Sequence, residues 1–449
     1  MKRLTWVFWG FLLALSGLWL MADTLWPAQP GFFALRTVWV QYSGVLALGV
    51  MSLAMLLATR PVWLERHLDG LDKMYRLHKW LGIAALSIGT VHWLWAQGAK
   101  WAVGWGWLAR PVRKPRDPGQ ALGTIEAALR SYRGLAEQIG EWAVFYPAVL
   151  LIVLALLPRF PYRLFAKTHK LMAVVYLALV CHVVGVVQFR YWSQPVGWAI
   201  AALLIVGAVS AVLVLLNRVG ARRTAHGSIE SLRHHAALKM LETTIRLNQR
   251  WAGHRAGQFA FVTHDQKEGA HPYTIASAWN AQQRRITFIT KALGDHTSVL
   301  PERLRVGDRV KVEGPYGCFT FEDQRPRQIW IGAGIGITPF IARMEDLARD
   351  QGARGARSID LFHPSSDHDP AVMDELRADA EAAGVNLHLF VDRKDGRLTG
   401  ERLRAMVPEW KDASVWFCGP VAFAQALRAD LVANGLPAEA FHQELFQMR

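Results

Sequence analysis

The chain has 449 residues, of which 52% are hydrophobic, and its formal net charge is +15. A chain of this length should hold two or three domains, and its apolar runs crowd into the first half. The positive charge could indicate a nucleic-acid-binding protein, but many basic residues lie in short loops between apolar segments, where the positive-inside rule explains them. We therefore expect a membrane protein without a nucleic-acid partner. Its three cysteines form neither a paired framework nor a CxxC metal motif.

Six apolar segments predict six membrane-spanning helices. The first follows Lys2 and Arg3 like a signal peptide, but no convincing cleavage site follows it, so we expect a retained helix. Basic loops on alternate sides predict a multi-pass protein of the inner (cytoplasmic) membrane, with both termini in the cytoplasm. We expect 98–141 to be a long translocated loop. The predicted spans are about 4–21, 37–58, 78–97, 142–157, 168–188 and 196–216.

Two of the predicted spans carry a pair of histidines each. His78 and His92 are 14 residues apart, and His169 and His182 are 13 apart. At about 1.5 Å per residue, each pair covers roughly 20 Å of helix, which places one imidazole towards each membrane surface. Two such helices side by side could bind two haems. However, 13 residues leave His182 about 140° around an ideal helix from His169, and histidines of a polar pocket remain the alternative.

The periodicity changes after about residue 229. Short alternating runs broken by Gly and Pro predict an antiparallel barrel, and alternating strands and helices from 328 onward predict a parallel sheet. The predicted fold class is therefore a multidomain membrane protein. It has an all-α six-helix transmembrane bundle at 1–222, an antiparallel β-barrel at 223–324 and an α/β parallel-sheet domain at 325–449.

Two segments of the barrel region have the residue types that a flavin needs. One places an aromatic ring and small hydroxyls at a strand end, where they could contact a flat isoalloxazine. The other ends a strand and opens a helix, whose backbone amides could bind a pyrophosphate. Either segment alone could also be an ordinary strand or an ordinary capped helix. The candidate flavin contacts are His271, Pro272, Tyr273, Thr274 and Ser277, followed by Gly294, Asp295, His296 and Thr297.

Two segments of the α/β region could bind a dinucleotide. A glycine loop between an apolar strand and a helix lets the backbone approach a phosphate. Its spacing is GxGxG followed by Thr-Pro, so a Rossmann dehydrogenase is not the best match. Cys418 ends another strand, where it could lie beside a nicotinamide or be an ordinary buried cysteine. The candidate contacts are Gly332, Gly334, Gly336, Thr338, Pro339, Cys418, Gly419 and Pro420.

Taken in order, these motifs resemble those of the ferric reductase and NADPH oxidase superfamily, over roughly residues 37–449. That family fuses a six-helix di-haem membrane domain to a ferredoxin–NADP reductase-like module. The resemblance implies an inner b-type haem between His78 and His169 and an outer one between His92 and His182. It also implies bound FAD, a nicotinamide coenzyme (NADH or NADPH) and a C-terminal aromatic that stacks over the flavin. The expected catalytic residues are Phe446, Cys418 and Thr274.

Two positions bear on the electron acceptor. Ala96 stands four residues after His92, where the eukaryotic oxidases keep a second histidine. Arg36, at the outer end of the second predicted span, could pair with a haem propionate or an anionic intermediate, or anchor the helix at the interface. We therefore expect an NAD(P)H-dependent membrane oxidoreductase that reduces an external acceptor, with ferric chelates leading and molecular oxygen, giving superoxide, as the alternative.

Two functions from other classes remain as rivals. The chain could be a membrane sensor whose reductase-like half only binds a nucleotide, or a haem subunit served by a separate reductase. The intact glycine and flavin motifs argue against the first rival, and the fused reductase makes the second unnecessary. The choice between NADH and NADPH stays open, because the segment after 358–362 has no obvious arginine for a 2′-phosphate, although Arg393 could approach. Protein partners also stay open.

Overall fold

The computed structural model of the chain describes residues 2–111, 123–248, 251–265, 268–350 and 357–444. The chain divides into two compact units. One comprises Met1–Leu68 with Lys73–Val219, and the other comprises Asp69–Asp72 with Gly220–Arg449. The first unit is helical, and both β-sheets belong to the second.

The helices of the first half are long and mostly apolar. A π-helical segment, Ile139–Phe145, joins two of them into one continuous rod. The helices are α1 (Lys2–Leu20), α2 (Phe32–Ala58), α3 (Val62–His67), α4 (Leu71–Gly104), α5 (Thr124–Gln138), α6 (Tyr146–Leu156), α7 (Tyr162–Lys170), α8 (Met172–Val186) and α9 (Pro195–Leu215).

Among the described residues, five helical stretches are long and apolar enough to cross a membrane. They are Arg3–Leu20, Phe32–Ala58, Thr124–Leu156, Leu164–Val186 and Pro195–Leu215. This finding agrees with a helical N-terminal half with several spans. Helix α4 covers the predicted span 78–97 but is not among the five, because histidine, lysine and glutamine side chains lower its hydropathy. The sixth span therefore stays a prediction.

The expected loop 98–141 is wrong in part. Helix α4 continues to Gly104, and α5 begins at Thr124 and runs directly into the next predicted span. The sequence of α5 looks like a loop because it is polar. Its charges pair one turn apart, Arg130 with Glu126 and Arg133 with Glu137, a spacing that stabilises a helix.

The first sheet of the second unit has six antiparallel strands in the order β4-β3-β6-β1-β2-β5. Alternate residues of β2 are buried, as expected for a strand with one face on a core. An isolated bridge between Ile275 and Phe288 connects the chain just after β4 to β5, the two edges of the sheet. The strands are β1 (Thr224–His235), β2 (Met240–Leu247), β3 (Phe259–Thr263), β4 (His271–Thr274), β5 (Arg285–Lys291) and β6 (Arg309–Tyr316).

The second sheet has five parallel strands in the order β11-β10-β7-β8-β9. Its central strands β7 and β10 are almost entirely buried, as parallel strands covered on both faces should be. Their carboxyl ends, Gly332 and Cys418, are direct register partners. The strands are β7 (Arg327–Gly332), β8 (Ser358–Ser365), β9 (Asn386–Val391), β10 (Ala413–Cys418) and β11 (Phe441–Gln443).

Six helices accompany the two sheets. Helix α10 follows β5, and the other five are interleaved with the strands of the parallel sheet. The antiparallel and parallel sheets predicted from the two periodicities are therefore both present. The helices are α10 (Asp295–Arg303), α11 (Thr338–Arg349), α12 (Pro370–Ala383), α13 (Asp392–Asp395), α14 (Gly400–Met406) and α15 (Val421–Ala433).

Candidate functional site

The four predicted metal-binding histidines lie in two pairs. His78 on α4 faces His169 on α7, with ring centroids 5.8 Å apart and ring planes at 77°. His92 on α4 faces His182 on α8, with centroids 6.4 Å apart and planes at 86°. Two opposed imidazole–metal bonds of about 2 Å each would separate the centroids by roughly 6 Å. The spacing therefore fits one metal ion between the rings of each pair.

An irregularity at Leu171 lies between the two histidines that are 13 residues apart. Helix α7 ends at Lys170 and α8 begins at Met172, but Leu171 keeps helical backbone angles, with φ of −65° and ψ of −18°, and Leu164–Val186 forms one helical stretch. His169 and His182 both face α4, so the offset of about 140° expected for a regular helix does not prevent the pairing.

Hydrogen bonds orient three of the four imidazole rings. The Nδ1 atoms of His78 and His182 lie 3.0 and 2.7 Å from the backbone oxygens of Ala54 and Ala136. A carbonyl oxygen only accepts, so both Nδ1 atoms carry the hydrogen and the Nε2 lone pair is left for a ligand. Metal-binding histidines commonly donate in this way.

The remaining two histidines have different surroundings. The Nδ1 atom of His92 lies 3.1 Å from the Ser43 hydroxyl. Phe165 stacks on the ring of His169 with a centroid distance of 5.1 Å. The Nδ1 atom of His169 is buried, and no described residue forms a hydrogen bond with it. Packing rather than hydrogen bonding therefore positions this ring.

Glycines leave room beside the outer pair. A β-carbon on Gly140, in the π-helical segment, would lie 2.2 Å from Nδ1 of His182, and one on Gly44 would lie 3.2 Å from Cε1 of His92. The cavity beside these histidines has mostly apolar walls, with charged side chains among them. Opposed imidazoles in an apolar cavity fit a haem with both axial positions filled. The charged lining residues are Arg36, Lys100, Arg133, Glu137 and Glu141.

Arg36 lies in this cavity, as expected from its position near the outer end of α2. One Nη atom donates to the backbone oxygen of Ala96 at 2.9 Å, the position where a second histidine is missing. Its buried Nε atom has no partner within the described part of the chain. A guanidinium with an unsatisfied donor is suited to an anionic group such as a carboxylate.

The two predicted flavin segments come together in the second unit. His271 begins β4 and stacks on His296, the second residue of α10, with centroids 3.7 Å apart and planes at 7°. The Tyr273 hydroxyl lies 3.1 Å from Nε2 of His296. The buried Ser277 hydroxyl accepts a hydrogen bond from the backbone of Thr287 at 3.0 Å.

The other residues of these segments shape the strand end and the helix start. Pro272 and Thr274 pair with Phe261 and Phe259 of β3, and Thr274 is buried. Gly294 caps α10, which begins at Asp295, and the Thr297 hydroxyl accepts from the backbone of Leu293 and Gly294 at 3.1 and 3.3 Å.

The predicted dinucleotide loops also meet. Ala333 donates its backbone hydrogen to Cys418 oxygen at 2.9 Å, and a β-carbon on Gly336 would lie 2.2 Å from the same oxygen. Gly334 has φ of +55°, a conformation that favours glycine. Gly419 and Pro420 continue from Cys418 into α15, and Thr338 and Pro339 open α11.

Cys418 is fully buried at the end of β10. Burial, reinforced by the nearby Glu444 carboxyl, raises the pKa of its thiol well above the usual value. The thiol is therefore protonated at neutral pH, which suits packing or a weak hydrogen bond rather than nucleophilic attack. Phe446, the third predicted catalytic residue, lies outside the described residues.

Two histidines near these sites were not predicted. His363 is buried in β8, and its Nδ1 donates to Gly332 oxygen at 2.6 Å, which fixes the start of the glycine loop. His264 follows β3 and lies near Tyr273, with ring centroids 6.3 Å apart. Neither residue belongs to a recognisable sequence motif. Only the pairing of the strands places them beside the glycine loop and beside Tyr273.

An antiparallel sheet with flavin-type residues, followed by a parallel sheet with paired glycine and cysteine loops, defines a flavin-dependent reductase module. Here it follows a helical, multi-pass membrane region. Residues 43–180 match the family of the ferric reductase like transmembrane component, and residues 234–320 match an FAD-binding domain. The predicted resemblance to a ferric reductase/NADPH oxidase-like fusion is therefore confirmed, and the domains are those of an oxidoreductase.

Curated relatives share only part of the chain. A flavohemoprotein of Pseudomonas aeruginosa is 27% identical over 192 residues, which cover 40% of this chain and 48% of the relative. The glycine betaine monooxygenase reductase subunit of Chromohalobacter salexigens is 27% identical over 196 residues. These residues cover 39% of this chain and 50% of the relative. The chain thus spans about half the length of these relatives.

Two solved structures also resemble the chain. A flavohemoglobin from Malassezia yamatoensis with bound FAD and heme is 16% identical, covers 92% of this chain and 98% of its own, and gives a TM-score of 0.46. The FAD/NAD-binding domain of a nitric oxide dioxygenase from Vibrio cholerae is 20% identical. The match covers 49% of this chain and 97% of that domain, with a TM-score of 0.42.

Proposed function

We propose that this protein transfers electrons from cytoplasmic NAD(P)H, through FAD and two b-type haems, to an acceptor outside the cytoplasmic membrane. The observation that carries the proposal is the pair of opposed histidine pairs, His78 with His169 and His92 with His182. When bound, FAD supplies the conversion of a hydride into single electrons, and the haems supply one-electron transfer.

The residues of the helical half hold and orient the haems. The two histidine pairs along α4 would hold the haem irons through four imidazole nitrogens, and the carbonyls of Ala54 and Ala136 accept from Nδ1 of His78 and His182, which leaves Nε2 of these two rings unprotonated. Helix α4 serves as the sixth span, with His78 and His92 directed to the haems rather than to lipid, and the six-helix domain comprises residues 1–222.

The residues of the reductase half bind the two nucleotides. Tyr273 provides an aromatic surface for the isoalloxazine, and Thr274 and Ser277 lie where a flavin ring needs short polar groups. The contact between Ala333 and Cys418 holds the glycine loop beside the nicotinamide end of the coenzyme. The proposed domain boundaries are 223–324 for FAD and 325–449 for NAD(P).

We propose ferric chelates as the acceptor class. An outer-sphere electron transfer needs no acid–base residue. Of the lining residues, Arg36 and Lys100 suit a carboxylate-bearing chelate, whereas Arg133 is paired with Glu137. Molecular oxygen is the second candidate, because the unsatisfied guanidinium of Arg36 could equally stabilise superoxide.

An anaerobic visible spectrum tests the proposal. The detergent-purified chain is supplied with FAD and then with NADH or NADPH. Sharp reduced b-type haem bands should grow, the faster coenzyme identifies the donor, and adding a ferric chelate or air ranks the acceptors. A spectrum without haem, or haem that stays oxidised, would contradict the proposed route.

A further inference from the structure

Three imidazoles form a cluster in the FAD-binding domain. His264 follows β3, His271 begins β4 and His296 lies in the first turn of α10. Strands β3 and β4 are antiparallel with Val262 opposite His271, which brings His264 towards the same end of the hairpin. His271 and His296 stack face to face, as described above. His264 has no assigned role.

The hydrogen bonds of this cluster are incomplete. His296 uses Nε2 for the hydroxyl of Tyr273. Its Nδ1 atom is buried, as is Nδ1 of His264, and neither has a hydrogen-bond partner in the part of the chain that the structure describes. A buried polar atom without a partner destabilises the fold. The cluster is therefore organised to contact a further polar group.

The imidazoles are neutral at pH 7 in the protein alone. Burial, and then the charges of His296 and His271, lowers the pKa of His264 to about 4. Burial, followed by His296, lowers the pKa of His271 to about 4. Burial also lowers the pKa of His296. His296 thus opposes a proton on both other rings, and His271 opposes one on His264.

Two carboxylates and one guanidinium act on the cluster. Glu268 of the β3–β4 loop and Asp308 before β6 favour protonated imidazoles, and Arg303 of α10 opposes them. Arg303 lies 3.8 Å from Glu268, so these two charges largely offset each other and the carboxylate of Asp308 remains. An anion at the cluster would add to its effect in favour of protonation.

The start of α10 is the second anion-attracting feature. Its first backbone amides and the helix dipole favour negative charge, and His296 lies within this turn. A pyrophosphate carries two negative charges and acceptor oxygens for the unsatisfied Nδ1 atoms. The His271 segment and the start of α10 are already the expected pyrophosphate contacts of the FAD site. We propose that His264 adds a third imidazole to this contact, and that the cluster takes up a proton from solvent when the pyrophosphate of FAD binds.

This inference rests on the proposed FAD site and adds a pH dependence to it. Because the bound state holds more protons than the free state, FAD affinity rises as pH falls. One linked proton changes the dissociation constant by up to about tenfold per pH unit. The affinity for FAD depends on pH between two limits. The upper limit is the pKa of the cluster with FAD bound, and the lower limit is the pKa of about 4 for His264 and His271 in the free protein.

The test measures FAD binding to the full purified chain between pH 5.5 and 8, from the quenching of flavin fluorescence. We expect the dissociation constant to fall about tenfold per pH unit towards the acid end. His264→Asn and His296→Asn should each weaken binding about tenfold at pH 6 and flatten the slope. His234→Gln changes an exposed histidine on β1, and it should leave both the affinity for FAD and its pH dependence unchanged. Riboflavin, which lacks phosphate, should bind without this slope.

Calorimetry makes the test independent of how well the variants fold. FAD binding to the unaltered protein, measured in two buffers with different ionisation enthalpies, gives the number of protons taken up, and we expect about one at pH 7. Absence of FAD binding at every pH would overturn the proposed function. FAD binding without proton uptake, or with the same slope in both asparagine variants, would overturn only this inference.

Discussion

Gly140 lies so close to His182 that a β-carbon on it would fall 2.2 Å from the Nδ1 atom of that ring. The same Nδ1 atom hydrogen-bonds to the carbonyl of Ala136, one turn earlier. The π-helical segment that begins at Ile139 therefore sets the position of one candidate haem ligand. Such segments are frequent at functional sites.

Gly140→Ala should displace the ring of His182 and lower the haem content from two to about one per chain. The matched control is Gly134→Ala in α5, where no described atom lies within 4 Å of the added carbon. This control should keep both haems and stabilise the helix by about 0.5–1 kcal/mol. The measurement is haem per chain, and two haems in Gly140→Ala would contradict the role of His182.

His92→Ala should abolish reduction of an outside acceptor while NAD(P)H still reduces the flavin, because only the outer haem loses a ligand. His67→Ala is the control, since His67 on α3 lies outside both pairs and bonds to Trp63 oxygen. Acceptor reduction is followed in vesicles with the cytoplasmic face accessible to NAD(P)H. A wild-type rate in His92→Ala would disprove the electron path.

The ring planes in the two histidine pairs are almost perpendicular, at 77° and 86°. Perpendicular axial imidazoles leave the iron d orbitals nearly degenerate. The oxidised protein should therefore give low-spin electron paramagnetic resonance signals of large anisotropy from both haems. A rhombic signal typical of parallel rings would show that the pairs do not bind iron in the geometry of this structure.

Gly336→Ala should weaken NAD(P)H binding at least about tenfold, or about 1.4 kcal/mol. Its β-carbon would lie 2.2 Å from Cys418 oxygen, so the two dinucleotide loops would have to separate. FAD binding by the same variant is the internal control, because Gly336 lies outside the antiparallel sheet. Equal loss of both ligands would indicate general unfolding instead.

Asp360 on β8 connects the two neighbouring strands of the parallel sheet. Its carboxylate lies 2.7 Å from Arg327 of β7 and 3.1 Å from His388 of β9. Burial would raise the pKa of Asp360, but the His388 hydrogen bond and the Arg327 charge outweigh it and lower the pKa. The folded-state pKa thus lies below the unfolded value of about 3.9. This stabilisation is present above that pH and is lost as pH falls through the folded pKa.

Arg327→Gln should therefore destabilise the parallel sheet by about 3 kcal/mol at pH 7 and raise the pH of acid unfolding, because it removes the guanidinium that pairs with the buried carboxylate of Asp360. Hydrogen exchange of β7 and β8 amides measures the local stability. Arg377→Gln removes an exposed pair with Asp374 and should change stability by less than about 0.5 kcal/mol. Similar effects of both variants would contradict the assignment.

Periodicity predicted the helical half, the antiparallel sheet and the parallel sheet, because each follows from local patterns of apolar residues. It did not predict α5, whose charged pairs make a helix look like a loop. The irregularity at Leu171 was also not predicted, since a leucine at the start of an apolar run gives no signal against a helix. The neighbours of His264 and His363 are set by the pairing of strands that lie far apart in the sequence. A linear motif therefore could not predict them.

The hydrogen bonds that orient His78 and His182 end on main-chain oxygens. Every amino acid at positions 54 and 136 offers the same acceptor, so side-chain replacement there cannot remove it. The ligand geometry is thus tolerant of sequence drift at the acceptor positions and intolerant at Gly140, where any side chain intrudes. Because Ala54 and Ala136 are both buried, replacement by a residue of similar size such as serine would keep the iron ligands in place.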